Sequence, residues 1–116
     1  MHDFRKLLVW QLSKDLGADI YRLCAATPRA HSAVTSQLRR SALAIATNIA
    51  EGCGKSSRAE TIRYLDIAAG SAAETEHHLE VARDVGAIDT KMCAELLARV
   101  TSIRRMLRGL IDKLPR

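Results

Sequence analysis

The stretch Asn48–Glu60, which reads NIAEGCGKSSRAE, decides how the fold of this chain is predicted. Apolar residues at helical spacing lead into it, and a second helical pattern follows it. Gly52 is typical of a helix C-terminus, where glycine is free to take the left-handed conformation. Ser57 and Glu60 form a capping box, in which the serine hydroxyl accepts from the third amide and the glutamate reaches back to the serine amide. The stretch therefore predicts a helix end, a turn and a new helix.

Part of this stretch resembles the phosphate-binding loop of nucleotide-binding enzymes, whose pattern is G-x-x-x-x-G-K-[ST]. Gly54, Lys55 and Ser56 match the end of that pattern. The first glycine would have to stand at position 49, which is Ile49. The motif also needs a strand where a helix is predicted. The sequence therefore favours a turn between helices over a nucleotide site.

Four segments, at about residues 4–26, 32–52, 57–86 and 89–114, have apolar residues spaced by three and four, as on one face of a helix. Either Ser32 or Thr35 is predicted to cap the second helix, Ser57 the third and Asp89 the fourth, while Gly86 ends the third. The predicted core faces are Val9, Leu12, Leu16, Ile20 and Leu23; Val34, Leu38, Ala42, Ile45 and Ile49; Leu65, Ala68, Ala72, Thr75, Leu79 and Ala82; and Leu96, Val100, Ile103, Leu107, Leu110 and Leu114. Long helices with short joints predict an all-α fold, an antiparallel up-and-down four-helix bundle, as a single domain over residues 1–116.

Two of these helices carry small side chains on a second face. The outer side of the second helix includes Ala44, Thr47 and Ala50, which predicts burial on more than one side and suggests oligomerisation. The middle of the third helix, residues 68–73, has almost no side-chain bulk, so another helix can pack closely there. Gly70 costs roughly 1 kcal/mol of helix propensity against alanine, and close packing would compensate for that cost.

Three further residues have predicted structural roles. Trp10 lies beside the apolar stripe of the first helix, as an anchor in the core or at an interface would. Asn48 and Glu51 are polar residues on the last turn of an otherwise apolar helix. We predict that they make buried hydrogen bonds at that end of the bundle.

Composition limits the cellular setting. Charged residues make up 27% of the chain, and no apolar run is long enough for a membrane span. The N-terminus lacks the pattern of a signal peptide, so we expect a cytoplasmic protein that does not enter a membrane. Cys24, Cys53 and Cys93 stand far apart without a C-x-x-C pair, which favours reduced, structural thiols over a zinc site.

Residues that could support catalysis or bind a metal are sparse. Glu74 and His77 have the Glu-x-x-His spacing of di-iron bundles, but such sites need a second copy on a facing helix, and the chain has none. The other histidines, His2, His31 and His78, assemble no catalytic set, and the serines carry no nucleophile motif. We predict a non-enzymatic protein with neither a metal nor a cofactor.

The chain has a net charge of +5. Lysine and arginine contact phosphate groups, and such contacts dominate nucleic-acid affinity without reading sequence. The candidates for phosphate contacts are Arg39, Arg40, Lys55, Arg58, Arg104, Arg105 and Arg108. In the alternative, these cations pair with the acidic third helix of a neighbouring subunit, through Glu74, Glu76 and Glu80, in a scaffold that binds no nucleic acid.

Several motifs together resemble the small helical proteins of the 23S ribosomal RNA intervening sequences. They are Gln37–Arg40 followed by Asn48–Gly52; Phe4, Leu7 and Val9–Gln11; Arg63–Leu65; and Gly70–Ser71 with Glu74 and Glu76. The resemblance covers nearly the whole chain. Cys53 and Lys55 stand where that family often has other small or basic residues.

The resemblance implies a fold, an assembly and partners. It implies an up-and-down bundle that assembles as a ring-like homopentamer without established catalytic activity. The chain is also similar to the accessory protein of diversity-generating retroelements, which implies RNA or DNA and a reverse-transcriptase-like protein as partners. Five copies of a +5 chain would carry +25, enough for strong non-specific binding of polyanions. Two functions stay open, a nucleic-acid-binding accessory protein and a protein–protein scaffold.

Overall fold

A computed structural model describes residues 3–115; residues 1, 2 and 116, and with them the ends of the predicted domain and His2, lie outside the described part. Four α-helices make up most of the described chain: α1 (Leu8–Ala26), α2 (Ser32–Cys53), α3 (Arg58–Asp84) and α4 (Thr90–Lys113). Two short 3-10 helices, Phe4–Lys6 and Arg29–His31, precede α1 and α2. Residues 3–115 contain no strand, so the predicted all-α four-helix fold is confirmed.

Each helix packs against the next one in the chain, and α4 also contacts α1. Between α2 and α3, Thr61 bonds to Gly52 and Thr75 bonds to Ser41, so residue numbers rise along one helix as they fall along the other. Between α3 and α4, Leu79 contacts Cys93 and Asp66 contacts Arg108, so here too residue numbers rise along one helix as they fall along the other. These neighbours are therefore antiparallel, and the helices form a rod of 45 × 20 × 19 Å.

An apolar core runs along the axis of the rod and contains most of the predicted core residues. The largest fully buried members are Leu16, Ile20, Leu38, Ile45, Ile49, Leu65, Leu79, Val100, Ile103, Leu107 and Ile111. Five predicted core residues are not fully buried. Leu12 is 37% exposed, and the half-buried ones that pack against the core are Leu23, Val34, Leu110 and Leu114. In α4 the buried residue at this end is Ile111, which was not predicted.

Gly52 is not the predicted left-handed stop, because it lies buried inside α2. The helix continues to Cys53, and its C-cap is Gly54, at an ordinary φ of −84°. A Cβ at position 52 would lie 3.1 Å from Tyr64 Cβ and 3.2 Å from the Thr61 carbonyl oxygen. Glycine is needed here so that α3 can approach the α2 backbone, and the Thr61 hydroxyl donates to the Gly52 carbonyl at 3.0 Å.

The start of α3 and the joint between α3 and α4 follow the predictions. The Ser57 hydroxyl accepts from the Glu60 amide at 3.2 Å, and the Asp89 carboxylate accepts from the Met92 amide at 2.7 Å. Gly86 has φ of 77°, a left-handed conformation that favours glycine, just beyond the end of α3. Both predicted side-chain caps and this glycine stop are confirmed. The second half of the predicted capping box is wrong, because among the described residues the Glu60 carboxylate does not accept from the Ser57 amide.

The starts of the first two helices differ from the predictions. The predicted first helix begins as the 3-10 helix Phe4–Lys6, and the α-helix starts only at Leu8. No side chain caps α2: its N-cap is His31, so capping by Ser32 or Thr35 is wrong. The 3-10 turn leads directly into α2, and the Thr35 hydroxyl instead donates to the His31 carbonyl at 3.2 Å.

Three predicted structural residues lie at the surface. Gly70 is exposed, and a Cβ there would meet nothing within 4 Å, so no helix of the same chain packs on it. Asn48 is half-buried and donates to the Ala44 carbonyl of its own helix at 2.8 Å. Glu51 is exposed, with its carboxylate 3.9 Å from Lys55 Nζ. The predicted buried hydrogen bonds of Asn48 and Glu51 at the bundle end are therefore wrong.

Candidate nucleic-acid interface

The seven predicted phosphate contacts are spread over several sides of the rod. Arg39 lies on the α1–α2 side, with its guanidinium carbon 5.8 Å from the centre of the Tyr21 ring. Arg40 lies on the α2–α3 side, 3.2 Å from the Glu74 carboxylate. Arg105 is exposed on the outer side of α4. These three arginines therefore do not form one binding surface.

Two further arginines pair with α3. Arg104 Nε lies 2.8 Å from the Glu76 carboxylate, which also accepts from the Thr101 hydroxyl at 2.9 Å. Arg108 lies 3.6 Å from Asp66. These cations thus pair with acidic α3 of their own chain, and the predicted pairing with a neighbouring subunit stays a prediction. The Arg108–Asp66 pair is exposed, and such pairs are worth about 0–1 kcal/mol, so a phosphate group can compete for Arg108.

Lys55 and Arg58 lie together at the end of the rod where α2 joins α3. They line a cavity of about 230 Å³ that also contacts Leu114, from the end of α4. Lys113 precedes Leu114 and is exposed, so α4 brings another cation to the same end. The fold therefore unites basic residues that stand far apart in the sequence.

Arg63 completes this group, because it and Lys55 share one aromatic neighbour. The Lys55 ammonium lies 4.9 Å and the Arg63 guanidinium carbon 5.6 Å from the centre of the Tyr64 ring. We name Lys55, Arg58, Arg63 and Lys113 the joint cluster. Sequence reasoning missed Arg63, because it stands five positions from Arg58 and so off the same helix face, and it missed Lys113, whose position depends on the packing of α4.

Most of the joint cluster is not paired with acidic residues. Within residues 3–115, no carboxylate lies within 4.0 Å of Arg58, Arg63 or Lys113. Lys55 has only the 3.9 Å contact with Glu51. These cations are therefore more available to an anion than Arg40, Arg104 and Arg108.

The excess charge of the described chain is confined to the same half of the rod. We define the joint half as residues 3–16, 43–69 and 102–115, and the distal half as residues 17–42 and 70–101. The joint half contains ten lysines and arginines against six acidic residues, and the distal half contains seven of each. The positive charge that attracts a polyanion therefore lies in the joint half, and its largest excess, four basic residues against one acidic residue, is in residues 102–115.

The predicted structural residue Trp10 is half-buried and packs on the core from outside. Its ring meets that of Phe4 edge-on, with 4.9 Å between the centroids. Both rings line a groove of about 790 Å³ between the start of α1 and the outer side of α2. Trp10 is thus a surface anchor beside an open groove.

The described chain offers little support for a metal site or for a membrane-spanning helix. No group of three or more histidine, cysteine or acidic residues among residues 3–115 could hold a metal. His77 meets His78 edge-on, with 5.1 Å between ring centroids, and burial together with the His77 charge lowers the pKa of His78. No helix of the described chain combines the length and apolarity that crossing a bilayer requires.

The three cysteines are buried, and none of them forms a disulfide within the described chain. Burial raises the pKa of the Cys24 and Cys93 thiols, which disfavours the reactive thiolate. The Cys93 thiol donates to the Leu79 carbonyl at 3.4 Å, across the α3–α4 contact. These cysteines therefore contribute to packing rather than to a reactive site.

The chain matches the family model of the 23S rRNA-intervening sequence protein over residues 5–109. No curated protein gives a significant match. A crystal structure from Bacteroides thetaiotaomicron, of a protein with unknown function from the S23 ribosomal protein family, is similar at 27% identity and a TM-score of 0.87, covering 91% of this chain and 100% of that one. Because the family model covers most of its length, the chain belongs to the family of 23S rRNA-intervening sequence proteins.

Proposed function

We propose that this protein is a non-enzymatic, self-associating protein that binds nucleic acid through phosphate contacts at the joint end of the rod. The observation that carries this proposal is the uneven charge, since the joint half has ten basic residues against six acidic ones while the distal half is balanced. Nucleic-acid backbones are dense arrays of negative charge, and neutralising them releases bound counterions. A surface with an excess of cations suits such contacts, and in the described chain Arg58, Arg63 and Lys113 have no carboxylate within 4.0 Å.

Lys55 and Arg58 are the leading phosphate contacts among the predicted residues. They flank the start of α3, where the free amides and the helix dipole add partial positive charge. Arg58 can also present two parallel donors to one phosphate group. Arg63 and Lys113 extend the same surface.

The remaining predicted arginines contribute less directly. Arg104, Arg105 and Arg108 lie on the half of α4 that belongs to the joint half, so they can extend a long contact along the rod. Arg39 and Arg40 lie in the distal half, where charges balance. In a homopentamer, as the family resemblance implies, the joint clusters of several copies would act on one polyanion, which raises avidity without new contacts.

A salt titration tests this proposal. Fluorescence anisotropy with a labelled short duplex and with a structured RNA, at salt concentrations from about 50 to 200 mM, measures affinity and its salt dependence. We expect binding that weakens linearly in a log–log plot, because each phosphate contact releases counterions. Absence of binding to either probe at about 50 mM salt would contradict the proposal.

The alternative is a scaffold that associates with proteins only. It is favoured by the pairing of Arg40, Arg104 and Arg108 with carboxylates of α3, which occupies three of the seven predicted phosphate contacts. A protein that self-associates but does not bind either nucleic-acid probe would support this alternative.

A further inference from the structure

The seam between α1 and α4 leaves apolar side chains uncovered. Leu12 is 37% and Leu8 58% exposed, although they stand one and two helical turns before the fully buried Leu16. On the other side of the seam, Ala98 and Ser102 of α4 line a cavity of about 270 Å³ together with Leu12. Because alanine and serine have short side chains, α4 does not cover Leu12, and this explains the exposure of that predicted core residue.

The uncovered surface continues along α4. Ala98 and Ser102 also line a second cavity, of about 590 Å³, with Arg105 and Met106, so the two cavities adjoin. The second cavity extends from Leu97 to Met106, which is roughly 14 Å along the helix axis and matches two to three turns of another helix. We name the following residues the α1–α4 seam: Leu8, Leu12, Ala98, Ser102, Arg105 and Met106.

The cations beside this seam are not neutralised within the described chain. Arg105 is exposed, and no carboxylate of residues 3–115 lies within 4.0 Å of its guanidinium. The same holds for the ammonium of Lys6, which is exposed two residues before Leu8. Asp112, which also lies on α4, contacts Arg108 at 4.0 Å instead. The seam therefore combines exposed apolar surface with available positive charge.

This combination suits a helix of another protein. A groove between two helices receives a third helix through apolar side chains at positions i, i+3, i+4 and i+7. Carboxylates beside such an apolar stripe form charge-assisted hydrogen bonds with arginine and lysine. A nucleic-acid backbone would use the cations but would leave Leu8 and Leu12 uncovered, so the leucines favour a protein partner.

We propose that the α1–α4 seam binds an acidic amphipathic helix of a partner protein. In this complex, apolar side chains of the helix cover Leu8 and Leu12, and its carboxylates pair with Arg105 and Lys6. Arg105, one of the predicted phosphate contacts, then serves a protein partner. The inference does not depend on nucleic-acid binding, because the seam contains no residue of the joint cluster.

A designed peptide tests the docking. It has about 18 residues, enough for a helix, with leucines at i, i+3, i+4 and i+7, glutamates beside them and a fluorescent label. A second peptide has lysine in place of each glutamate. Fluorescence anisotropy should show that the protein binds the acidic peptide roughly tenfold or more tighter than the basic one. Absence of binding to the acidic peptide at about 100 μM protein would overturn the proposal.

Matched substitutions distinguish the seam from net charge. Leu8→Gln with Leu12→Gln removes the exposed leucines of the seam, and Tyr21→Gln with Val85→Gln removes two other exposed apolar side chains. Both variants keep the net charge of +5, and circular dichroism checks that both stay folded. The seam variant should bind the acidic peptide about tenfold more weakly than the wild type, and the control should bind like the wild type. Equal affinity of the two variants would overturn the docking.

Three measurements on the same seam variant test other occupants. Light scattering should give the wild-type mass, and a lower mass would mean that a second copy covers the seam. Vesicles of phosphatidylcholine with phosphatidylserine should not distinguish the variant from the wild type, and binding that only the wild type shows would assign the seam to a bilayer. The variant should also keep the wild-type affinity for the labelled duplex, and a loss would assign the seam to nucleic acid. Failure of the peptide to bind leaves the proposed function standing, and failure of the duplex to bind leaves the docking standing.

Discussion

The two glycine-containing joints of this protein look alike in sequence and work differently. At the α3–α4 joint, Gly86 adopts φ of 77°, which ends the helix. At the α2–α3 joint, Gly52 stays helical and its missing Cβ lets α3 reach the α2 backbone. One glycine is required for its backbone conformation and the other for the space it leaves. The comparison shows that a glycine near a helix end does not by itself identify a stop.

The ends of the rod that contain these joints also differ in charge. Near the α3–α4 joint, Asp89 caps α4, while Asp84 and Glu80 pair with Arg83. Near the α2–α3 joint, Arg58 has no carboxylate within 4.0 Å in the described chain. Acidic groups are thus used to stabilise one joint, and cations are left available at the other.

Replacing Gly52, whose missing Cβ lets α3 approach α2, should have the largest effect on stability. Gly52→Ala places a Cβ against Tyr64 Cβ and the Thr61 carbonyl, both of which belong to packed α3, so we expect a loss of about 1–3 kcal/mol in the free energy of unfolding. Urea denaturation measures it. Gly54→Ala is the control, since its nearest contact would be 3.5 Å and its φ is ordinary. Equal stability of the two variants would contradict the close-approach role of Gly52.

Replacing Gly86, which has the left-handed conformation, should lower the free energy of unfolding somewhat less. Gly86→Ala strains the backbone by about 1–2 kcal/mol, because a Cβ disfavours positive φ although there is open space around it. Gly86→Asn should recover part of that loss in the same urea measurement, since asparagine tolerates this conformation better than alanine. An alanine variant as stable as the wild type would show that position 86 does not require the left-handed conformation.

Removing a cap should have the smallest effect of the three. Ser57→Ala and Asp89→Ala each remove one side-chain bond to a helix amide, and each should lower the free energy of unfolding by about 1 kcal/mol. Ser32→Ala serves as the control, because α2 has no side-chain cap. If Ser32→Ala lowers the free energy of unfolding as much as the other two substitutions do, the stabilisation does not come from the caps.

Helical periodicity was sufficient to predict the four helices and most of the core. It placed Leu38, Ile45 and Ile49 on one face of α2, and all three are fully buried. Periodicity could not show that α4 buries Ile111 rather than Leu110. Both residues lie near the apolar face of α4, and the packing of α4 against the other helices determines which one is buried.

The candidate interface was only partly predictable. Lys55 and Arg58 were predicted because they flank a recognisable joint. Lys113 lies at the same end of the rod because α4 packs there, and a local sequence pattern cannot predict that packing. The pairing of Arg104 with Glu76 likewise depends on the relative rotation of α3 and α4, so the sequence could name both residues without predicting their contact.

The most direct test compares charge reversal at the two ends of the rod. Arg58→Glu with Lys113→Glu changes the joint end, and Arg29→Glu with Lys91→Glu makes the same net change in the distal half, at exposed residues that also lack acidic partners in the described chain. Fluorescence anisotropy with a labelled duplex should show that the joint pair lowers affinity roughly tenfold or more and reduces the salt slope by about 2, while the distal pair has a much smaller effect. Equal losses for both pairs would mean that net charge alone governs binding, and would contradict a nucleic-acid interface at the α2–α3 joint.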